Sequence, residues 1–589
     1  METKADYVFE VSFEVCNKVG GIYTVVKSKA AAMKTYYKNY FLIGPYYNDR
    51  TDVEFLETEI PEKFREIDEK LKKEGIICHF GKWQIKGEPD TILVDFMGTK
   101  DSQNELQKMY WEKYKVDSIS SSWDFIEPML WSTAVGKLIE CFGQENKEKK
   151  IIGHFHEWLS GFGSLWLKSA DSHVKTVFTT HATMLGRSIA GNGRELYNEL
   201  DNIEPEKTAK ELGVMDKFST EKACAENSDI FTTVSEITGI EAEKLLGKKP
   251  DVLVLNGLDE EKFPSFEETS LIHISSKDKI REFLTYFFFP YYQFDMDHTL
   301  TFFIVGRYEF RNKGIDLFIK ALARLNNYLK EKNSKRTIAA LFWIPGDARG
   351  IRTELLENKT FYRHIKNYVE SHSKEIEKKI VMDIVSNKDL TRRTLFSKEF
   401  LISNKRHLNR FRREGNPPIS THYLGNEAED PIEKALRENN LVNNMDDNVK
   451  VVHYPVYLNG VDGLIDLPYY EAMCGCHLGV FPSYYEPWGY TPVECASMGV
   501  PSLTSDLAGF GRFIKPKLKD REGIYVLERF GKSEEESLKN FTDFLCRFSE
   551  LDHHERVKYK MDAKGSTQLT DWRDFVKFYV EAHNKALLR

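Results

Sequence analysis

The chain runs to 589 residues, 41% of them hydrophobic and 30% charged, with a mass of 68.5 kDa and a mean hydropathy of −0.47. That profile supplies apolar material for several cores and excludes collagen-like, disordered and membrane-embedded proteins. With 83 basic against 91 acidic side chains the net charge is −8, so no global positive field exists to hold a polyanion, and nucleic acid is not the expected ligand.

At ~150 residues per domain the length fits about four domains, or two to three large α/β ones. The N-terminal METKADYVFE has charges but no apolar signal core, and the longest apolar run, near Phe287, is too short to span a bilayer. A cytoplasmic protein with no membrane partner is expected. Apolar, β-rich runs at 7–13, 41–44, 91–96, 151–154, 176–180 and 230–234 read as strands, separated by helical stretches such as 22–37. This alternation predicts an open, mostly parallel sheet with helices on both faces.

The pattern restarts after Asn256-Gly257. A linker and an aromatic-rich helix are expected over 260–290, strands at 300–305, 338–344, 449–453, 478–481 and 502–504, and an amphipathic helix at 317–330 with Phe318, Leu322, Leu325 and Leu329 on one face. Residues 352–444 break the alternation. They are highly charged and helical in pattern, with basic clusters at Arg392-Arg393 and 405–413, and read as a helical insertion on the surface or at a subunit contact. The eight cysteines are scattered and only Cys474 and Cys476 lie close together, which argues for free thiols rather than a zinc site.

Ligands of open α/β sheets bind beyond the carboxyl ends of the strands, so polar residues just after strand runs are the candidates. Lys18-Val-Gly-Gly21 precedes a helix and offers backbone amides to an anion, although a plain tight turn explains it as well. His154 and His156 alternate along a strand with no third metal ligand at a sensible spacing, so packed, hydrogen-bonded imidazoles are expected. His181 and Arg187 share the loop after another strand and suit a sugar hydroxyl and a phosphate. Arg307 and Lys313 flank a loop entering a helix near Ile315, a cationic clamp for a diphosphate. In the segment 481–499, Thr491, Pro492 and Glu494 predict a capping box and Gly499 a helix end, which accounts for Glu494 structurally. Glu486, in the preceding loop, has no structural explanation, and a carboxylate there can bind sugar hydroxyls and stabilise positive charge on a sugar ring.

Glu486 and Glu494 form the E-x7-E pattern of retaining GT-B glycosyltransferases. Together with YEPWGYTPVE, GRYEFRNKG, HFHEW, THATMLGR and KVGGIYTV, in that family's order along the chain, the sequence resembles the animal and fungal glycogen synthases, glycosyltransferase family 3, from about Phe9 onward. The resemblance implies two Rossmann-like doubly wound domains facing a deep cleft. Residues 1–258, completed by a helix at 570–589, would form the acceptor-side domain, and 259–569 the nucleotide-sugar domain with the insertion at about 352–444. It implies retaining transfer of glucose from UDP-glucose to the 4-hydroxyl at a glucan's non-reducing end, without a metal or other cofactor.

By the same resemblance Arg307 and Lys313 would hold the diphosphate and Arg187 would approach it from the opposite domain. Glu486 would act at the transferred glucose, His181 contact it, Glu494 bind the ribose and Tyr469 stack on uracil. Lys18, Gly20 and Gly21 would line the donor site, and Trp488, Gly489, Tyr490 and Thr491 belong to the same substrate-binding set. A homotetramer and a glycogenin-like primer are the expected partners. The family's arginine-dense helix for glucose-6-phosphate is thinned here to Arg556, Lys558, Lys560 and Lys564, with His273 and Lys277 upstream. Lysine lacks arginine's bidentate fork, so His273, Lys277, Arg556 and Lys560 stand as effector contacts of reduced strength. The family's phosphorylated terminal extensions have no counterpart in this sequence, and control through them is not expected. A transferase for another nucleotide sugar or acceptor, and a glucan-binding scaffold without turnover, are the competing readings.

Overall fold

The computed structural model describes residues 2–48 and 53–589; the side chains of residues 403 and 406–410, most of the basic cluster at 405–413, lie outside the described ones. In the first half β1 (Tyr7–Val11), β2 (Tyr40–Pro45), β3 (Phe55–Glu57), β4 (Ile77–Trp83), β5 (Asp90–Asp95), β6 (Ile151–His156), β7 (Lys175–Thr180), β8 (Ile230–Thr233) and β9 (Val252–Leu253) form one sheet. Its order is β3-β4-β5-β2-β1-β6-β7-β8-β9. It is parallel from β5 through β9, and β1 lies between β2 and β6 with Val8 opposite Tyr40 and Ile152. All six residues of β2 and of β6 are buried, as expected of strands covered on both faces.

The antiparallel edge β3-β4-β5 departs from the expected pattern. His79, Gly81 and Lys82 interrupt the apolar run of β4, so only the pairing with β5 reveals it as a strand.

The second half builds β10 (Thr299–Val305), β11 (Thr337–Trp343), β14 (Val449–His453), β15 (Leu478–Val480), β16 (Ser502–Ser505) and β17 (Ile524–Leu527) into a six-stranded parallel sheet, while β12 (Ala348–Ile351) and β13 (His422–Leu424) pair separately. The helix Ile315–Glu331 buries Phe318, Leu322, Leu325 and Leu329 along one face. Each such side chain contributes about 2 kcal/mol relative to exposure. The stretch 352–444 is mostly helical but not wholly so. Its first four helices occupy Thr353–Ser371, Ser373–Val385, Arg392–Leu395 and Lys398–Phe411. After them β13 pairs with β12, and the helix Pro431–Glu438 returns Ile432 and Leu436 to the core of the second sheet.

Where the chain passes between the halves, two segments cross. The Leu258 amide donates to the Thr570 carbonyl (2.8 Å) and the Trp572 amide to that of Leu258 (3.3 Å). A side chain at Gly257 would start 2.7 Å from the Trp572 ring, so only glycine fits there. The terminal helix Trp572–Ala586 then packs on the helix Ile22–Tyr36 of the first half, with the Trp572 indole N–H bonded to Ser28 Oγ (2.8 Å). All eight cysteines are free, and among the described residues no helix is long and apolar enough to cross a membrane.

Candidate active site

Two loops at the carboxyl ends of β10 and β15 form one unit. Gly314 caps the helix Ile315–Glu331 at a φ of 69°, and a Cβ there would meet the Pro482 carbonyl at 2.2 Å. The amides of Tyr484 and Tyr485 donate to the Asn312 carbonyl (2.9 and 3.2 Å). Residues 486–488 lie beside 508–510 through Gly509 N–H to the Glu486 carbonyl (3.1 Å) and Phe510 N–H to that of Trp488 (2.8 Å). This clamping brings Lys313 and Glu486 into an ion pair, with side chains 17% and 23% exposed. The sequence placed both after strands; the structure adds that they meet.

The opposite wall comes from the first half. Thr183 caps the helix Met184–Gly191, accepting from Gly186 N–H (3.1 Å), and this helix carries Arg187. Arg187, Arg307, Asn312, Lys313, Tyr485 and Glu486 line a shared cavity of about 530 Å³. Arg307 is 70% exposed and paired with Glu309 at 2.8 Å. The cavity is spanned by contacts the sequence did not reveal. Tyr484 Oη accepts from Leu196 N–H (2.7 Å), Tyr485 donates to Glu241 (3.3 Å), and Arg311 binds Glu195 and the Gly193 carbonyl. The tyrosine pair immediately before Glu486 was the only available signal for them.

Carboxylates buried behind Arg187 carry raised pKa values. Burial pushes Glu157 up to about 7 although the amides of His181 (2.7 Å) and Ala182 (3.0 Å) donate to it, and pushes Glu241 up to about 7 against hydrogen bonds from Tyr197 and Thr183. A group raised in the folded state stabilises it most below its unfolded pKa and loses that contribution as pH rises through the folded one. Wild-type stability relative to Glu241→Gln should therefore fall between pH 4.5 and about 7 and level off above. Denaturant midpoints of the two proteins across that range check the sign.

Of the other residues flagged in sequence, some reach this site and others do not. The expected capping box is absent: the helix Tyr490–Ser497 starts after Gly489 at a φ of 95°, with no side-chain cap from Thr491. Glu494 instead accepts from the hydroxyls of Tyr470 (3.1 Å) and Tyr469 (3.4 Å), which burial and the neighbouring carboxylate hold well protonated. Gly499 does follow the helix end at a φ of 68°. Gly489 and Thr491 line a small pocket with Lys313 and Glu486. Trp488 does not reach it, being buried against Phe510, Phe513 and, from the terminal helix, Phe575, and the Tyr490 hydroxyl is buried with no hydrogen-bond partner among the described residues. In the Lys18–Gly21 loop the amides of Gly20 (2.7 Å) and Tyr23 (2.9 Å) are taken by the Glu14 carboxylate, so the protein itself fills the anion cradle the glycines offered.

His181 lies at the carboxyl end of β7, 8% exposed, with Nε2 2.9 Å from His156 Nδ1. His154 and His156 are buried, and Glu10 completes a set of donor atoms within 4.8 Å that resembles a metal site. The residues do not fit one. Glu10 is held by Lys29 and by His156 Nε2, and both nitrogens of His154 are engaged, by His583 (3.0 Å) and Thr179 (2.7 Å).

A second cavity, of about 370 Å³, gathers the remaining candidates. His273, Lys277, Arg556 and Lys560 line it together with His477, which sequence reasoning missed. Among the described residues Lys277 and Lys560 make no ion pair, and burial next to Lys277 and Arg556 pulls Lys560 down to about 8.

The sequence model of glycogen synthase matches residues 10–589. The chain belongs to the glycogen synthase family. It is 36% identical over 594 residues to the glycogen [starch] synthase of Dictyostelium discoideum, covering 100% of this chain and 67% of that protein. To the mouse liver glycogen [starch] synthase it is 35% identical over 587 residues (99% and 83%), and to the Caenorhabditis elegans one 37% over 595 residues (99% and 88%). Among solved structures, the catalytic domain of starch synthase IV from Arabidopsis thaliana, bound to ADP and acarbose, superposes over all of both chains with a TM-score of 0.53 at 13% identity. The fold is GT-B, two Rossmann-like halves across a cleft, and this glycogen synthase family member is a glycosyltransferase with nucleotide-sugar and glucan substrates.

Proposed function

We propose that this protein transfers glucose from UDP-glucose to the non-reducing end of an α-1,4-glucan with retention of configuration. The observation that carries the reading is the convergence of Arg187, Arg307 and Lys313 with Glu486 on one cavity between the two halves. Three cations stabilise the charge that develops on a departing diphosphate, and one carboxylate supports the positive sugar ring. This reading needs no metal or other cofactor. The C1–phosphate bond breaks as the acceptor's 4-hydroxyl oxygen bonds to C1 on the same face, and the acceptor proton passes to the leaving phosphate oxygen. Trapping a covalent glucosyl-Glu486 species would overturn that front-face route.

The test is UDP release from UDP-glucose with and without glycogen. Release that depends on glycogen and falls by about 10²-fold or more in Glu486→Gln supports the reading. Release only with another nucleotide sugar or acceptor would replace it, and folded protein releasing no UDP from any donor would favour a glucan-binding scaffold. The same reading includes a glycogenin-like primer, a cytoplasmic location and a homotetramer. Assembly is supported by exposed Val381, Met382, Ile384 and Val385 on a helix with no buried residue, and a monomer in light scattering at micromolar concentration would overturn it.

The second cavity supports a sugar-phosphate effector. A phosphate among Lys277, Lys560, Arg556 and the two histidines would relieve the mutual repulsion of these cations. Glucose-6-phosphate at about 100 times its Kd should then stabilise the fold by about 2.7 kcal/mol. Thermal denaturation with glucose-6-phosphate, but not glucose, should show this shift, and Lys277→Ala should abolish it.

A further inference from the structure

Behind His181 runs a chain of buried groups that the proposed reaction does not use. Glu10, on β1, ion-pairs with Lys29 and accepts from the Tyr40 hydroxyl, and His156 Nε2 lies 2.6 Å from its carboxylate oxygen Oε1. His156 Nδ1 lies 2.9 Å from His181 Nε2. Glu10, Lys29 and the two histidines are all buried. Among the described residues no hydrogen bond engages His181 Nδ1.

These contacts have one consistent proton arrangement. Glu10 faces an ammonium and a hydroxyl donor and is ionised, its carboxyl held well below the usual range; burial is offset by Lys29 and the bond from His156. A carboxylate only accepts, so His156 Nε2 carries the hydrogen. Burial keeps His156 neutral, which leaves a lone pair on Nδ1, and His181 must fill it by donating from Nε2. His181 is likewise kept neutral by burial.

We infer that Glu10 and His156 are positioning residues that lock His181 in the Nε2–H tautomer and so leave its Nδ1 unprotonated. An imidazole so fixed is a hydrogen-bond acceptor for a donor-sugar hydroxyl and carries no positive charge toward a ring that becomes cationic as the diphosphate leaves. This use of the tautomer rests on the proposed transfer reaction; the lock itself does not.

The test reads the tautomer directly. In full-length protein carrying 15N-histidine, the His181 signal, assigned with His181→Gln, should show one protonated nitrogen, Nε2, and one unprotonated nitrogen, Nδ1. His156→Phe keeps a planar ring but removes the acceptor and should give a mixture of both tautomers, whereas His156→Gln, which carries an acceptor and a donor on one planar head group, should restore the single one. A wild-type signal with Nδ1 protonated, or with both forms mixed, overturns the inference. So does a single Nε2–H tautomer that persists in His156→Phe. If His156→Phe fails to fold, Glu10→Gln, which lets His156 take either tautomer, replaces it and should give the same mixture.

Turnover separates the lock from the reaction it serves. With the lock present, kcat in His156→Phe should fall on the order of tenfold or more at little changed KM and recover in His156→Gln. Unchanged kcat beside a mixed tautomer would leave the lock standing and remove His181 from the donor sugar.

Discussion

Lys313→Ala is expected to lower kcat for glycogen-dependent UDP release by about 10²- to 10³-fold, with a much smaller change in the KM for UDP-glucose. Lys313 leaves a loop that cannot drift. Gly314 is pressed on the Pro482 carbonyl, the Asn312 carbonyl holds the amides of Tyr484 and Tyr485, and Arg529 grips the Pro482 carbonyl from behind. An ammonium fixed in this way needs no reorganisation when charge builds on the leaving phosphate, and its effect falls on kcat rather than on ground-state binding. Its pairing with Glu486 couples the two sites, so Lys313→Ala and Glu486→Gln should be strongly non-additive. Lys313→Arg keeps the charge but shifts it, and should recover only part of the rate. A rise in KM at constant kcat would instead mean that Lys313 binds donor and transition state equally.

The strand-end logic of the sequence located this loop because buried parallel strands write themselves as apolar runs, and the residues just after such a run lie at the strand's carboxyl end. The same logic found Arg187, Arg307, His181 and Glu486 one at a time. It could not find the contacts that support them, since Tyr485 to Glu241 and Glu10 to His156 join residues 244 and 146 positions apart in the chain. Nor could it tell that the Gly20 amide was already committed to Glu14. The capping box at Thr491 failed for a local reason. Gly489 takes a backbone conformation that starts the helix one residue before Thr491, and Glu494 is drawn to two tyrosine hydroxyls rather than to its own helix end. His477 was invisible because nothing near it in sequence is cationic; Lys560 and Arg556 reach it only through the fold.

Lys29→Met should destabilise the protein by about 3–5 kcal/mol, a large share of the roughly 5–15 kcal/mol typical of a folded protein. Lys29 is fully buried on the helix Ile22–Tyr36, its ammonium against Glu10 and 3.8 Å from the Tyr579 ring centre. Methionine fills the space but leaves the Glu10 charge without its counter-ion. The pH dependence has a definite sign. Glu10 is depressed in the fold, so its contribution is present above the unfolded value of 4.5 and lost as pH falls through the folded one. The deficit of Lys29→Met should thus be full at neutral pH and shrink on acidification, as denaturant midpoints at pH 7 and pH 4 would show. Glu10→Gln/Lys29→Met removes both charges and should recover most of the loss, because a buried pair is costly chiefly when only one partner remains. Equal losses in the single and double variants would mean that the ammonium acts through Tyr579 rather than through Glu10. Tyr579 and His583 both belong to the terminal helix, and His583 also bonds Tyr37 (2.8 Å) and His154 (3.0 Å). The charge pair behind His181 is therefore sealed only when the helix Trp572–Ala586 has docked on the first half.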